Sequence, residues 1–543
     1  MKNGRQMGNV PAAEKNMAYV ILKSFVKNAW KKIIHITVNT IFKTILRTIA
    51  MNKVIIIGGG IAGLSAGIYA QKCGFNATIL ESHNIIGGNC TAWKRKGYLF
   101  EGGMHWLAGS GKNEALNKIW RYLGALDDSV LIHKSEPFME YNYEGTPIRF
   151  YRDVEKTEQH LLELSPADAK EIKAMCDNIR KVKNLSMPVT DLCGVKVTKK
   201  NRISVSFLFS AISAIRLMNR FSKVTKEQYL RNFKHEGLRG LLSDFISDES
   251  GVVPLFFSMG TFARGDGGFP DGGSLPFAGR MAKTFTDLGG ELLLNTRADR
   301  VIIENGKTTG IIAGDKQMSA DAVIVASDTM AISTLFDVPL KSPWLDKMQA
   351  VTKPTMCTFI SLGIDADLRK YPHNYVFKLN KQLKIPAQAY NYLSVNNYAN
   401  DRNYSPEGKT AMTIILNGDT YDFWKKAREN GTYKEEKQNI AEEIAAAITA
   451  EIPEAYGKIE VIDVATPLTY ERYCGNWKGS WMTEMGPGME MKNYPAVIKG
   501  LSGVYFAGHR MMPPGGFPPA VMSGRIAVQY LCRDTDKIFI SEE

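Results

Sequence analysis

The chain has 543 residues, enough for two or three ordinary domains, and its 44% apolar and 23% charged residues exclude a disordered or membrane-embedded class. The formal charge of +13 invites a nucleic-acid reading, but residues 1–50 hold a net of +8, which leaves +5 for the other 493 residues. No nucleic-acid partner is expected.

Residues 1–50 read as a basic leader. From Met17 onward apolar residues recur at helical spacing, at Leu22, Val26, Trp30, Ile34 and Val38, then Ile41, Ile45 and Ile49. Lys23, Lys27 and Lys31 form a polar stripe. Lysines interrupt each apolar run well short of the ~18 residues of a spanning helix, and a secretory cleavage site is absent. Two readings stand. The leader is either a basic amphipathic helix lying on an anionic membrane surface, or an extension upstream of a working start at Met51.

The next stretch, "KVIIIGGGIAGLSAGIYAQKCGFNATILES" (53–82), carries the densest signal. A β-branched run ends in Gly58-x-Gly60-x-x-Gly63, and a helix follows from Ile61 to about Cys73, closed by Gly74. Gly58 allows the tight turn, Gly60 lets the backbone approach a pyrophosphate, and Gly63 lets helix and strand pack closely. The amides of Ile61 and Ala62 then face the phosphates at a helix N-terminus. A second strand, "NATIL", delivers Glu81 and Ser82, where a carboxylate accepts ribose hydroxyls. Strand, glycine turn, helix and acid together predict a Rossmann-type dinucleotide site, and Glu81 disfavours a 2′-phosphate.

Further along, "IIGGNCTAWKRKGYLFEGGMHWL" holds Gly87-Gly88-Asn89 and then Glu101-x-Gly103-Met104-His105. This resembles the second signature of flavoproteins built on the glutathione-reductase and amine-oxidase plan. There a GG pair contacts the dinucleotide and a D/E-x-G segment lies beside the flavin. Ile85 and Ile86 stand where a basic residue is usual; Lys94, Arg95 and Lys96 either supply that charge or form a solvated hairpin tip. Near the far end, "GVYFAGHRMMPPGGFPPAVMSGRIAVQYL" runs from a strand through Gly508 and His509 into a helix from about Pro518. Such an ending aims a helix N-terminus at whatever lies in the loop; in flavoproteins of the plan this chain resembles, that is the flavin's pyrimidine edge, where negative charge gathers on reduction. A site closed by both ends of the chain holds a resident FAD rather than an exchanging NAD. No second strand-plus-GxGxxG unit and no CxxC occur, so electrons come from the organic substrate or an external carrier of unknown identity.

With "PDGGSLPFAGRMAKTFTDLGGELLLNTRADRVIIENGKTTGI", "ADAVIVASD" and "TPLTYERYCGNWKGS", the order of motifs resembles the phytoene desaturase, carotenoid isomerase and retinol saturase family from Met51 to about Cys532. Residues 145–260 and 340–460 match it in order and length more than in motif. The resemblance implies FAD-dependent desaturation, saturation or isomerisation at carbon–carbon double bonds of a long apolar carotenoid-, retinoid- or lipid-like substrate. It also implies that the backbone at Ala298, where valine is more usual, meets the adenine end of FAD.

The expected architecture is α/β: a discontinuous FAD-binding domain (51–145, 265–335 and 495–535) with an inserted α+β substrate domain (146–264 and 336–494). The apolar helix at 203–224, with Arg216, Arg220 and Lys223 near its end, either dips into a membrane leaflet or is a buried domain helix. Residues 437–452 read as an amphipathic structural helix ended by Pro453. Tyr470, Tyr473, Trp477 and Trp481 either line an apolar tunnel or pack in a core. His105, Trp106 and His509 are expected near the flavin ring, but no catalytic residue is assigned. Seven cysteines without a CxxC pair, and histidines without ligand spacing, predict no disulfide framework, no metal and a reducing, cytoplasmic setting, with peripheral membrane contact open. The alternatives are a flavin amine oxidase and a flavin-binding module without turnover, docked to a membrane.

Overall fold

A computed structural model describes residues 52–201, 205–245, 251–385, 388–484 and 492–542. The leader lies outside the described residues, as do positions 203 and 204 of the apolar helix.

Five short runs rich in Val, Ile and Leu form a parallel sheet: β1 (Lys53–Ile57), β2 (Asn76–Leu80), β3 (Glu291–Leu293), β4 (Ala322–Val325) and β5 (Val504–Phe506). Their order is β5-β4-β1-β2-β3. β1, β2, β4 and β5 are almost wholly buried, as expected where helices cover both faces of a parallel sheet. The order turns back at β1, so β2 and β4 leave it on opposite sides and their carboxyl ends open a crevice.

Three helices serve this sheet: α1 (Ile61–Lys72), α2 (Ser274–Asp287) and α3 (Phe517–Asp534). α1 is buried along its first ten residues because α2 and α3 both pack on it. Small residues make that possible. A Cβ on Gly67 would sit 2.7 Å from Ile79 and 2.9 Å from Phe285 of α2, and one on Gly524 of α3 would sit 2.3 Å from the Ala62 carbonyl.

A second sheet has seven strands in the order Ile459–Ala465, Cys357–Ile364, Thr410–Asn417, Gln388–Asn397, Asn374–Ile385, Met139–Tyr143 and Thr146–Phe150. All neighbours are antiparallel except Asn374–Ile385 with Met139–Tyr143. The helix Tyr433–Glu451 buries Ile440, Ile444 and Ile448 beneath one part of it. A helical group including Ala169–Val182, Val205–Phe221 and Val253–Ala263 shares a core with the Met139–Tyr143 end. The fold class is therefore as expected. The first boundary is not: Met139–Tyr143, inside the 51–145 segment, belongs to the second sheet.

Candidate functional site

The crevice at the carboxyl ends of β1, β2, β4 and β5 opens into a cavity of about 1640 Å³. Every residue expected at the dinucleotide lines it except Gly63 and Met104. Neither of those two faces the cavity. A Cβ on Gly63 would stand 1.9 Å from the Gly58 carbonyl oxygen, so this glycine serves helix–turn packing and not the ligand face. Met104 is fully buried in the core beneath the sheet.

Gly58 holds φ +106°, and a Cβ there would press on the Ala326 carbonyl at 3.1 Å. α1 then begins at Gly60 with no side-chain cap and no acid in its first turn, which leaves first-turn amides turned to the cavity. Glu81, 8% exposed, braces this loop. Its Oε2 accepts from the Gly59 amide at 2.8 Å and its Oε1 from the His83 amide at 2.8 Å and the Ser82 hydroxyl at 3.3 Å. Each carboxylate oxygen keeps acceptor capacity for a hydroxyl. Gly87 donates its amide to the Gly59 carbonyl at 2.9 Å, which seats the second glycine pair over the first.

Glu101 of the E-x-G-x-H stretch turns inward. Its carboxylate accepts from the amides of Gly103 (2.9 Å), Met104 (2.8 Å) and Ser274 (2.9 Å) and from the Tyr404 hydroxyl (3.0 Å). Burial pushes its pKa up against the pull of these bonds. The motif's acid thus shapes the chain that presents Gly103 and His105. Burial, then the charge of His373, lowers His105 to about 4, and its Nδ1 is buried without a hydrogen-bond partner. His509 has both ring nitrogens buried and unpartnered, and burial followed by Arg510 lowers it to about 3. Both imidazoles are neutral at pH 7.

The exposed hairpin residues Lys94, Arg95 and Lys96 lie outside the cavity lining, so they supply no charge to it. Asp328 was not foreseen. It sits just past β4, lines the cavity, and is paired with the buried Arg510. An acid at the carboxyl end of a central parallel strand was the available signal.

Away from the glycines the lining becomes apolar. Phe207, Ala211, Ala214, Ile215 and Met218 of Val205–Phe221 line it, together with Val253, Pro254 and Phe257 of Val253–Ala263 and with Leu185 and Met187. Tyr470, Tyr473, Trp477 and Trp481 all line the cavity as well, as does Trp106.

These residues fit a flavin dinucleotide. Uncapped helix amides and glycines suit a pyrophosphate, the braced Glu81 a ribose, and the orphaned nitrogens of His105 and His509 with the Thr329 hydroxyl a polar ring. Comparison with known proteins agrees. Residues 61–532 match the model of the flavin containing amine oxidoreductases. The all-trans-retinol 13,14-reductase of Danio rerio is 23% identical over 78% of this chain and 76% of its own. The 4,4'-diapophytoene desaturase (4,4'-diapolycopene-forming) of a Methylomonas species is 22% identical over 88% and 94%. The cyclohexylamine oxidase structure from Brevibacterium oxydans shares the fold at a TM-score of 0.55 and 15% identity, covering 89% of this chain and 99% of that one. The chain belongs to the flavin containing amine oxidoreductase family and is an FAD-dependent oxidoreductase.

Proposed function

We propose that the enzyme desaturates, saturates or isomerises carbon–carbon bonds of a long apolar substrate of carotenoid, retinoid or lipid type. The observation that carries this reading is the apolar arm of the cavity, continuous with the nucleotide cradle. The retinol reductase and the desaturase among its relatives, named for such substrates, support it.

In this reading Gly58, Gly60, Ile61, Ala62, Glu81, Ser82, Gly87, Gly88 and Asn89 hold the nucleotide, and Ala298 meets its adenine end. Gly103, His105, Gly508, His509 and Pro518 border the flavin ring. FAD supplies hydride transfer when bound. α3 begins without a side-chain cap or an acid, so its N-terminus favours negative charge at the ring. Neutral His105 and His509 each offer a ring nitrogen that takes or gives a proton. The aromatic residues exclude water from the apolar arm.

The amine reading meets an obstacle. Among the described residues, the carboxylates lining the cavity are Glu81, Asp328 and Glu471. Asp328 is bound by Arg510, and Glu471 accepts from the Tyr421 hydroxyl at 2.9 and 3.1 Å. An ammonium substrate finds no unengaged acid among them.

Peripheral membrane contact belongs to the same proposal. Val205–Phe221 buries Ala214 and Leu217 and exposes Ile212 (47%) and Ile215 (56%), with exposed Arg216 and Arg220 alongside. Such a helix suits an anionic lipid surface at the mouth of the apolar arm. Among the described residues no helix is long and apolar enough to cross a membrane.

The test is anaerobic mixing of purified holoenzyme with polyenes, retinoids, lipids or amines, following flavin absorbance. Bleaching of the oxidised flavin by an apolar polyene or lipid (desaturation), re-oxidation of chemically reduced flavin by one (saturation), or double-bond isomerisation by the reduced form is expected. A response to amines alone would overturn the reading, and no response of either flavin state to any of them would favour the module without turnover.

A further inference from the structure

Past the helix Ala169–Val182 the chain runs outside any helix or strand from 183 to 196. Part of this stretch borders the cavity. Leu185, Met187, Pro188 and Thr190 line it, and Pro188 and Thr190 are also exposed. Ile215 and Pro254, on the two helices of the apolar arm, likewise line the cavity and are exposed. Residues that touch both the cavity and the outside mark an opening, and residues 185–190 are part of its rim.

This rim is tied down at its two ends and untied between them. Arg264 donates from Nη1 to the Leu185 carbonyl at 2.8 Å, and its guanidinium is held by Glu114 at 2.7 Å and Asp266 at 3.7 Å. Arg525 of α3, fully buried, donates from Nη1 to the Thr190 carbonyl at 3.1 Å. It pairs with Asp191 at 2.7 Å and Glu542 at 2.8 Å. Gln529, one turn along α3, donates to Asp191 at 2.9 Å and accepts the Leu192 amide at 2.8 Å. Each end is thus gripped by a guanidinium that two acids hold in place. Among the described residues no hydrogen bond is made by the backbone of 186–189. Only side chains hold this part down, with half-buried Met187 and Val189 packed against the main core. Backbone tied in this way belongs to the low-stability end of a fold, where local opening costs least.

We propose that residues 185–190 are a strap that gates the apolar arm, with Arg264 and Arg525 as its fixed ends. This rests on the carbon–carbon reading, in which a long apolar molecule must enter and leave the arm. With the strap down, Leu185 and Met187 complete the apolar lining and keep water from it. Lifting the strap breaks the packing of Met187 and Val189 but no backbone hydrogen bond, so passage needs no wider unfolding. Arg264 and Arg525 are positioning residues, since neither lines the cavity. Arg525 also joins the strap to the nucleotide end, because its helix α3 begins with Pro518, Pro519 and Ala520 in the cavity lining.

The test mixes flavin-loaded protein rapidly with Nile red, an uncharged dye that fluoresces in apolar surroundings. A gate sets the speed of passage in both directions, so loosening it raises association and dissociation rates by one factor and leaves the dissociation constant unchanged. A fixed wall that loses contacts speeds dissociation alone. Pro188→Gly frees the strap without removing a hydrogen bond. Both rates should rise about two- to fivefold, the size of a proline's effect on backbone freedom, at an unchanged dissociation constant. Unchanged rates, or faster dissociation with unchanged association, would overturn the gate. Flavin-loaded Ala211→Glu locates the dye: a carboxylate in the arm should weaken its binding about tenfold or more. Undiminished binding there would show that the dye does not enter the arm, and would overturn the gate as well. Nile red undergoes no reaction, so these outcomes are separate from the carbon–carbon reading, which fails by a response to amines alone.

Discussion

Arg510 grips both oxygens of Asp328, Nε to Oδ1 at 2.8 Å and Nη2 to Oδ2 at 3.1 Å, with each side chain only 1% exposed. Asp328 also accepts the amides of Trp477 and Met330 at 3.0 Å each, while Arg510 reaches the Met482 carbonyl at 3.1 Å and the Thr483 hydroxyl at 3.2 Å. The pair ties the end of β4 to the loop after β5 and to the aromatic segment around Trp477. Burial alone would raise the Asp328 pKa, but the charge and hydrogen bonds of Arg510 hold it below the usual range. Asp328→Asn leaves a buried guanidinium without its counter-charge, and a loss of about 3–5 kcal/mol in denaturant unfolding is expected. A double-mutant cycle with Arg510→Met should recover part of that loss; full additivity would show that the two residues are not coupled.

Gly63→Ala places a Cβ 1.9 Å from the Gly58 oxygen and 3.0 Å from its carbonyl carbon, backbone atoms that cannot turn aside. The start of α1 must shift and take the phosphate-facing amides with it. Loss of roughly 3 kcal/mol and of copurifying flavin is expected. A stable, fully loaded Gly63→Ala protein would refute this account of the turn.

Glu81→Ala removes the brace on Gly59 and the proposed ribose acceptor together. Hydrogen bonds to a charged group contribute about 1.5–3 kcal/mol, so the FAD dissociation constant should rise roughly 10- to 150-fold, read by flavin fluorescence on reconstitution. An unchanged constant would place the ribose elsewhere.

Acid should weaken the fold through the cavity histidines. Their folded pKa values of about 4 (His105) and about 3 (His509) lie below the ordinary 6.5. Between those limits the unfolded chain binds more protons than the folded one, so stability rises with pH and is fully present above 6.5. Falling from pH 6.5 to 5 costs up to roughly 2 kcal/mol per imidazole. Thermal unfolding at pH 7 and pH 5 should therefore show a smaller acid loss in His509→Gln than in the wild type; equal losses would mean that His509 is not held neutral by burial.

The nucleotide half was legible because its determinants are local. Strand, glycine turn, helix and Glu81 occupy thirty consecutive residues, and each residue type answers to a nearby backbone demand. The second sheet was not, since it pairs Met139–Tyr143 with Asn374–Ile385 across more than two hundred residues and no pattern records a partner so distant. Roles within the site were blurred for a related reason. Glu101 and Gly103 share one motif, yet one faces inward to hold backbone amides and the other faces the cavity, a distinction made by Ser274 and Tyr404 from remote segments. The Asp328–Arg510 relationship is likewise tertiary.

The parallel sheet has a consequence for how the protein is made. β1 is among the first described segments to leave a ribosome, but its sheet is finished by β5, and its helix is covered by α3, nearly 450 residues later. At ordinary synthesis rates the glycine turn waits tens of seconds for these elements. Through that interval the nascent chain carries a half-built cradle with β4 lacking its outer neighbour. Premature termination before Val504 should therefore yield a chain that binds no flavin at all rather than one that binds it weakly.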